Sequence, residues 1–307
     1  MATNVINDPA RRHDFVMLFE VIDGNPNGDP DAGNMPRLDP ETNQGLVTDV
    51  CLKRKVRNYV ALTQDGATKR RIYVQDTGVA LKTLQQEAYD ACEIKSTGST
   101  AQPRADVDAA RARMCQDFYD VRMFGAVMTT KGVNCGQVRG PMQLTFSRSV
   151  DPIFPMDVAI TRVAITKPED AVVVVSDDGE STGKGKTTEM GRKYVVPYGL
   201  YVGHGFFSAP FAAQTGASEE DLALFWEALR RMWDLDHSAS RGMMALRGLY
   251  VFSHDDKLGS APAQDLFERV TIDRKANVEA ARAFRDYNVA VDESDLPAGV
   301  TLTTVVG

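Results

Sequence analysis

The sequence predicts an α+β fold whose core is a ferredoxin-like sheet with large insertions. An almost wholly apolar strand candidate stands near the N-terminus, at residues 14–22, and is apolar enough to be central in a sheet. A helix candidate at residues 219–233 has its apolar side chains at helical spacing. The other strand and helix candidates lack the regular alternation of a doubly wound sheet, and their order fits a ferredoxin-like arrangement.

The first loop and the helix after it are clearly marked. Residues 24–39 are rich in Gly, Pro, Asn and Asp, which indicates a long ordered loop. Thr48 is a suitable N-cap for a helix that runs to about Leu62. The other predicted elements are a short strand at 71–75, helices at 79–94 and 105–128, paired strands at 137–148 and 158–166, an apolar strand at 172–175, a strand at 193–207 and a closing strand at 245–253.

Two further segments are interpreted from the order of their turn-forming residues and apolar runs. Residues 170–208 form a predicted hairpin, because a basic, Gly-rich segment separates two apolar runs. The segment after Asp255 mixes short strand and helix signals. No repeat period is present.

Charge is distributed unevenly in this chain of 307 residues and net charge -7. Residues 37–148 carry 17 Lys or Arg against 12 Asp or Glu, whereas residues 149–180 carry 2 against 7 and residues 251–307 carry 6 against 10. One basic region among acidic ones fits a protein that binds a polyanion on one surface. Solvated faces can have the same composition.

Composition also excludes several classes of protein. No stretch approaches the ~20 consecutive apolar residues of a membrane helix, and the N-terminus lacks the apolar region of a signal peptide, so we expect a cytoplasmic protein with no membrane partner. The four cysteines are far apart, and Cys-x-x-Cys and clustered His are absent, so we expect buried thiols rather than zinc ligands. The four histidines are scattered, and no motif marks a nucleophile.

Two segments imitate ligand-binding motifs. Asp23 opens a D-x-N-x-N-G sequence like that of a calcium loop, but Asn34 occupies the position of the bidentate Glu. Residues 183–188 end like a phosphate-binding loop, but Glu180 stands where the first Gly is required. We therefore expect no metal and no cofactor.

The helix after the loop can present cations on one side. At 100° per residue, Lys53, Arg54 and Arg57 fall within about 100° of one another. Leu52 and Val56 lie on the adjoining side, which can be buried. Such a basic face neutralises phosphates and releases counterions. A solvated helix face explains the same pattern equally well, so the helix alone leaves both interpretations open.

The loop before this helix favours nucleic acid. Asn25 and Asn27, together with the neighbouring Gly backbone, supply donors of the kind that contact phosphates and sugars. Pro26 and Pro30 keep the turn preorganised.

Further cations have two explanations each. Arg122 and Arg139 lie among apolar residues, and an ion pair with Asp117 or Asp120 explains them as well as RNA does. The predicted hairpin offers cations beside the apolar Met190, which suits either a flap over a bound strand or a plain surface loop. These cations are Lys184, Lys186, Arg192 and Lys193.

Arg241 and Arg247 stand with two methionines before the last predicted strand. Surface arginines beside core methionines explain this group at least as well as RNA does.

Together these segments resemble the backbone subunit of the CRISPR-associated Cascade complex, in its type I-C branch. The resemblance rests on NPNGDPD at 25–31, the Pro-Arg pair at 36–37, VTDVCLKRKVRNYV at 47–60, YDVRMFGAVMT at 119–129 and CGQVRGPMQ at 135–143. These motifs are long and ordered, and the resemblance extends to about residue 253. The tail carries no matching motif.

The resemblance implies an architecture. The chain is expected to be a single RRM-like domain over residues 1–307, RRM being the ferredoxin-like RNA recognition motif. Its insertions are expected to be a helical, finger-like one at 63–118 and a thumb-like hairpin at 170–208, followed by a C-terminal extension at 255–307.

The resemblance also implies partners and a role in antiviral defence in bacteria. Several copies bind the backbone of the CRISPR RNA without base specificity, stack head to tail into a helical filament, and present the guide for pairing with target DNA in an R-loop. Other Cascade subunits, namely the subunit for the 5′ handle of the CRISPR RNA, the large subunit and the small subunit, are further expected partners. No catalytic residue is expected.

The RNA-contact residues that the resemblance implies come from the matching positions. They are Asn25, Asn27, Arg37, Lys53, Arg54, Arg57, Gln137 and Arg139, with Lys184, Lys186, Arg192 and Lys193 of the hairpin added by position and character.

Two other functions remain open. Related backbone subunits of type III complexes cleave target RNA with a loop aspartate, and Asp23, Asp29, Asp31 and Asp39 lie in a comparable loop, where a metal could gather two of them. A stand-alone RRM-like RNA-binding protein is the second alternative, but the paired aromatics by which RRMs read bases are not evident in the strand candidates.

Overall fold

The computed structural model describes residues 5–64, 66, 70–167 and 188–307. Its strands are β1 His13–Gly24, β2 Gly28–Asp29, β3 Met35–Pro36, β4 Gln44–Val47, β5 Gly125–Thr130, β6 Val133–Arg139, β7 Met142–Leu144, β8 Ser147–Pro152, β9 Met156–Arg162, β10 Glu189–Phe207, β11 Met243–His254, β12 Val270–Arg274, β13 Tyr287–Val291 and β14 Val300–Val306. Its α-helices are α1 Asp49–Thr63, α2 Leu81–Ala91, α3 Arg104–Asp117, α4 Tyr119–Phe124, α5 Ala209–Thr215, α6 Glu219–Leu235 and α7 Ala263–Phe267.

The main sheet runs in the order β14-β11-β1-β10-β8-β4, with β7 and β9 also paired to β10. Every one of these pairs is antiparallel. The inner four strands, β11-β1-β10-β8, have the order of a ferredoxin-like sheet, and α1 and α6 follow its first and third strands. The predicted α+β fold class is therefore confirmed.

One face of the sheet packs against α1 and α6. Alternate residues of β1, among them Phe15 and Phe19, point to this side because successive strand residues face opposite ways. Phe19 stacks between Tyr201 and Trp233, with ring centroids 5.3 and 4.9 Å away. Each such side chain contributes about 1.5–3 kcal/mol on full burial.

The other face of the sheet is covered by the C-terminal segment. Val16 and Leu18 of β1 lie in one apolar cluster with Phe267 and Tyr287 from that segment. Glu20, also on β1, is 2% exposed and accepts hydrogen bonds from Arg247 and Tyr198. The segment whose sequence signals were mixed thus provides one of the two layers that bury β1.

A third apolar cluster lies outside the sheet. It is formed by α2, α3 and the β5–β6 hairpin, with Leu84, Tyr89, Met114, Phe118 and Val133 among its buried members. The proposed boundaries of a finger-like insertion at 63–118 stay a prediction.

The predicted strand at 14–22 and the predicted helix at 48–62 are confirmed. Thr48 caps α1, since its side chain accepts a hydrogen bond from Cys51 N. The predicted helix at 219–233 and the strands at 193–207 and 245–253 are confirmed as α6, β10 and β11. A capping box at Ser218 fixes the start of α6.

The predicted long helix at 105–128 is wrong, because it breaks at Phe118. That residue is extended, and Tyr119 N donates to Arg71 O across the chain instead of within a helix. Gly125 ends the next helix, α4, with φ +81, and a Cβ there would meet Val138 O at 2.4 Å. The chain then continues as strand β5.

The predicted strand at 71–75 and the predicted strand pair 137–148 with 158–166 are also wrong. Tyr73 N and Val74 N donate to the Asp120 side chain instead of to a strand. β6 pairs with β5, and β9 pairs with the first half of β10. The predicted strand at 172–175 lies outside the described residues.

Two buried histidines tie the N-terminal segment to β1 and β11. His13 Nε2 donates to Asp8 O, because a carbonyl can only accept, and its Nδ1 accepts from Ser253 Oγ at 2.9 Å. His254 likewise joins Asp14 and Ser260 N, each at 2.9 Å. Burial lowers the pKa of His13 to about 4. The His13 ring therefore acts as a neutral hydrogen-bonding group.

The thiols are only partly as expected. Cys115 and Cys135 are buried, and burial raises their pKa to about 11 and about 12. Cys51 and Cys92 are half-buried, so the expectation of four buried thiols is wrong for these two. Among the described residues, no helix has the length and apolar character needed to cross a membrane.

Candidate nucleic-acid interface

The turn after β1 is braced from two sides. Asn25 is 4% exposed; its side chain donates to Asn34 O at 2.8 Å and its backbone N to Ser240 O at 2.7 Å. Arg241 adds hydrogen bonds from its Nη1 to Asn25 O and Pro26 O. The Asn25 side chain thus shapes the turn rather than facing solvent.

Asn27 connects this turn to the start of α1. Its Oδ1 accepts from both Thr48 N and Thr48 Oγ1 at 3.0 Å. Thr48 is the N-cap of α1, where the free N–H groups and the helix dipole favour negative charge. The turn therefore sets the position of a helix end that suits an anion.

Lys53 lies one turn into α1. Its Nζ is 3.0 Å from the Asp49 carboxylate and 3.2 Å from Gln143 Oε1, and it lies 5.8 Å from the Phe124 ring centroid. The side chain is 12% exposed. The ammonium is held in place, with its stem packed on the protein.

Arg54 is the most exposed of the three predicted helix cations. Its Nη2 lies 2.7 Å from the Asp76 carboxylate, and the two side chains are 39% and 77% exposed. An exposed pair of this kind contributes little to stability, about 0–1 kcal/mol. The guanidinium can exchange this carboxylate for a phosphate at low cost.

The expectation that Arg57 is presented on the same exposed face is wrong. Its Nε is 2.8 Å from Asp120 Oδ2, its side chain is 11% exposed, and its guanidinium lies 5.3 Å from the Phe124 centroid. Asp120 also accepts from Tyr73 N and Val74 N. A buried carboxylate with these donors needs a cation nearby, which turns Arg57 inward.

Two of the loop aspartates have cationic partners within the protein. Asp29 accepts from Asp31 N at 3.1 Å and lies 3.3 Å from Arg37 Nη1. Asp39 lies 2.6 Å from Arg148, which lowers the pKa of this carboxyl group. Asp31 is exposed. Across residues 5–64, 66, 70–167 and 188–307, no three His, Cys, Asp or Glu side chains cluster as metal ligands.

Gln137 and Arg139 lie on another part of the surface. Both are exposed on β6, and the Arg139 guanidinium lies 4.7 Å from the Phe211 ring centroid. They line a groove of about 510 Å³ between α3, β6 and the end of α5, together with Arg111 and Gln214. The residues that line this groove come from α3, β6 and α5 and not from the turn or α1.

Arg122 has a different partner from those predicted. Its Nε and Nη2 make a bidentate pair with Asp221 at 2.7 and 2.6 Å, and both side chains are buried. Asp117 pairs with Arg113 and Asp120 with Arg57. The ion-pair interpretation holds, but the predicted partners are wrong.

The β9–β10 hairpin projects from the sheet. All seven residues of β9 are exposed, including Met156, Val158 and Ile160. Arg192 pairs with Asp157 at 2.6 Å, and Lys193 Nζ donates to Ala239 O at 3.0 Å. Lys184 and Lys186 lie outside the described residues.

Sequence reasoning missed several residues of this region. Lys55 is 3% exposed, pairs with Asp236, and lies 5.8 Å from the Trp233 centroid; burial lowers its pKa to about 8. Gln143 and Arg148 are exposed beside Lys53 and Asp39. Their contacts join segments about 90 to 180 residues apart, which no local pattern in the sequence reveals.

A model of the family described as CRISPR-associated protein Cas7 matches residues 11–292. The chain belongs to the Cas7 family. A curated relative, the CRISPR-associated protein Cas7 of Haloferax volcanii, is 26% identical in an alignment of 245 residues that covers 71% of this chain. The Cas7 chain matches only 64% of the length of that relative.

Three solved structures are also similar to this Cas7 chain. A chain of a CRISPR RNA-guided surveillance complex in a pre-nicking state has a TM-score of 0.47 at 14% identity, covering 80% of this chain and 79% of its own. A second CRISPR RNA-guided surveillance complex gives 0.42 at 15%, covering 80% and 70%. A type III-B Cmr-beta complex bound to cognate target RNA gives 0.40 at 11%, covering 78% and 61%.

Proposed function

We propose that this Cas7 chain is the repeated backbone subunit of a type I-C Cascade surveillance complex and holds CRISPR RNA by its phosphates. The observation that carries the proposal is the surface at the start of α1, where Asn27 fixes Thr48, and Lys53 and Arg54 stand beside that helix end. Cations and free backbone N–H groups bind phosphates without reading bases. Binding is therefore independent of the guide sequence.

One face of the main sheet is covered by the C-terminal segment, which supports this proposal over a stand-alone RRM-like RNA-binding protein. RRMs stack bases on aromatic side chains of the sheet face opposite the helices. In this chain, Tyr198, Tyr250 and Phe252 on that face are buried beneath the C-terminal segment. The surfaces that remain available to RNA are the edge of the sheet and the start of α1.

The exposed hairpin supports assembly into a multimer. Its apolar side chains Met156, Val158 and Ile160 alternate along β9 and so share one face, where they are 46%, 39% and 41% exposed. Contiguous exposed apolar surface of this kind marks a contact site. The hairpin closes over the RNA and meets the next copy. A head-to-tail contact does not close on itself, so copies propagate as a helical filament.

The remaining parts of the proposal follow from the type I-C assignment. The filament presents the guide to target DNA for R-loop formation in antiviral defence, in the bacterial cytoplasm, with the other Cascade subunits as partners.

The chain itself is non-catalytic. Incubation of the assembled complex with complementary RNA and Mg²⁺ tests this, and the RNA is expected to stay intact. If the RNA is cut periodically, and Asp29→Ala or Asp31→Ala abolishes the cuts, the chain is an endoribonuclease instead.

The central test removes the two cations beside the helix end. We expect Lys53→Ala with Arg54→Ala to weaken guide RNA binding about tenfold or more at low salt, equally for guides of different sequence. The slope of log affinity against log salt concentration should become shallower by about 1–2. Binding is measured by filter retention at several salt concentrations.

A matched control removes one Lys and one Arg elsewhere. Lys257 and Arg230 are exposed and form no ion pair in the part of the chain that the structure describes. Lys257→Ala with Arg230→Ala makes the same change in net charge and is expected to leave most of the affinity. A loss that depends on the guide sequence, or one that the control reproduces in full, contradicts the phosphate grip at α1.

A further inference from the structure

Phe146 is an exposed aromatic ring beside the start of α1. It stands in the break between β7 and β8 and is 56% exposed. The β4–β8 pairing ends with Val47 opposite Ser147, so Phe146 follows directly past that pair, next to Thr48. Gln143, three residues earlier, contacts Lys53. The ring is thus bracketed by two parts of the proposed phosphate grip.

The backbone that carries this ring is held firmly. Thr145 N donates to His204 O at 2.9 Å, and His204 N donates back to Thr145 Oγ1 at 3.1 Å. The Thr145 hydroxyl donates to Phe146 O at 3.1 Å. The backbone position from which the ring extends is therefore fixed.

The neighbourhood of Phe146 is polar and basic. Its chain neighbours are Thr145 and Ser147, and Arg148, two residues on, has a side chain that is 53% exposed. Lys53 contacts Gln143, which precedes Phe146 by three residues. A protein contact site is usually a contiguous apolar patch, whereas an aromatic ring among cations is typical of single-stranded nucleic-acid surfaces.

Phe154 provides the contrast within the same chain. It is 75% exposed, more than Phe146, but its neighbours Ile153 and Met156 are apolar. Together they line a cavity of about 310 Å³ at the base of the hairpin, next to the C-terminal segment. Phe154 has the surroundings of a protein contact, and Phe146 does not.

We infer that Phe146 stacks on a base of the bound RNA strand, so that each copy holds one base in addition to phosphates. This inference rests on the proposed function, since it takes the start of α1 as the RNA surface. Stacking is tolerant of sequence, because every base has a π-face. Base stacking therefore adds affinity without making the subunit read the guide.

The test combines protein variants with RNA that lacks a base. We compare wild type, Phe146→Ala, Phe146→Trp and the control Phe154→Ala on a short single-stranded RNA and on the same strand with abasic sites. Truncation of a stacking residue costs about 5-fold to 160-fold in affinity for one base. Phe146→Ala is expected to lose about tenfold on intact RNA and little on abasic RNA, while Phe146→Trp and Phe154→Ala bind like wild type.

Fluorescence of the Phe146→Trp variant reports on stacking directly. A purely structural role of residue 146 would not change this signal on RNA binding. The native Trp226 and Trp233 are 3% and 2% exposed, so their emission stays nearly constant on RNA binding. Quenching of the added tryptophan by intact RNA, but not by abasic RNA, is the expected result.

Three outcomes overturn the inference. In the first, wild type and Phe146→Ala show the same preference for intact over abasic RNA, which leaves phosphate binding at α1 standing without a stacking residue. Phe146→Ala can instead weaken association between copies in the absence of RNA, which makes the ring a protein contact. If wild type itself binds no RNA, the proposed function fails together with the inference.

Discussion

The start of α1 and the β9–β10 hairpin are both basic, but they are built in different ways. At α1, cations and turn side chains are fixed by partners inside the protein, such as Asn27 by Thr48 and Arg57 by Asp120. On the hairpin, Arg192 is 72% exposed and has one partially exposed carboxylate, Asp157, as its partner. The first region is preorganised by contacts inside the protein, whereas we propose that the hairpin acquires its surroundings on assembly. Mutations of equivalent acidic residues in the two regions should therefore have different effects.

The largest difference is expected for stability. Asp120→Ala removes a carboxylate that holds Arg57 and two backbone N–H groups, and it leaves a buried cation uncompensated. We expect the free energy of unfolding to fall by about 3–5 kcal/mol, measured by urea denaturation. Asp157→Ala on the hairpin is expected to change it by less than about 0.5 kcal/mol. Equal losses for the two variants contradict the contrast.

A second difference concerns pH and the segment that anchors β1. His13 has a pKa of about 4 in the folded chain because of burial, against 6.5 when exposed. Between these values the unfolded chain binds a proton that the folded chain does not, so stability falls as pH falls from about 6.5 to 4. The loss amounts to about 3 kcal/mol at most.

The control for this prediction is His13→Gln. It lacks the titrating ring and should be less stable than wild type at pH 7 but closer to it at pH 5, because wild type has lost part of its advantage by then. Urea denaturation at both pH values measures the difference. A constant gap between the two proteins shows that His13 does not titrate in this window.

The smallest effect is expected for RNA binding and has the opposite sign. Asp76 is an exposed carboxylate that pairs with Arg54, so under the proposed function it competes with phosphate for this guanidinium. We expect Asp76→Asn to raise RNA affinity about threefold at low salt, since exposed pairs are worth about 0.2–1 kcal/mol. Asp273→Asn is the matched control, because Asp273 is exposed and pairs with no cation among the described residues. An equal gain in both variants assigns the effect to net charge alone.

The sequence predicts the sheet better than it predicts the insertion. The strand at 14–22 and the helices at 48–62 and 219–233 have periodic apolar side chains and recognisable caps, which are local signals. The break at Phe118 depends on a hydrogen bond from Tyr119 N to Arg71 O, between residues 48 positions apart. The pairing of β10 with β9 likewise has no local signal in the sequence.

The site residues show the same limit. Helical spacing correctly brings Lys53, Arg54 and Arg57 to neighbouring positions on α1. It does not reveal that Asp120 draws Arg57 inward while Asp76 leaves Arg54 exposed. The Asn-rich turn is also recognisable in the sequence, but the burial of Asn25 follows from contacts with residues 34 and 240. Whether the predicted residues contact RNA stays a prediction.

The position of β1 at the centre of the sheet has a consequence for synthesis of the chain. Its neighbours are β10 and β11, and the contact between His13 and Ser253 spans 240 positions. At about 5–20 residues per second, β1 waits on the order of ten seconds or more before β10 emerges from the ribosome. The α2–α3 cluster with the β5–β6 hairpin needs only nearby contacts and can form earlier. Among the strands that the structure describes, β1 is buried over the largest fraction of its length, and it is thus the one that most needs protection from aggregation while translation continues.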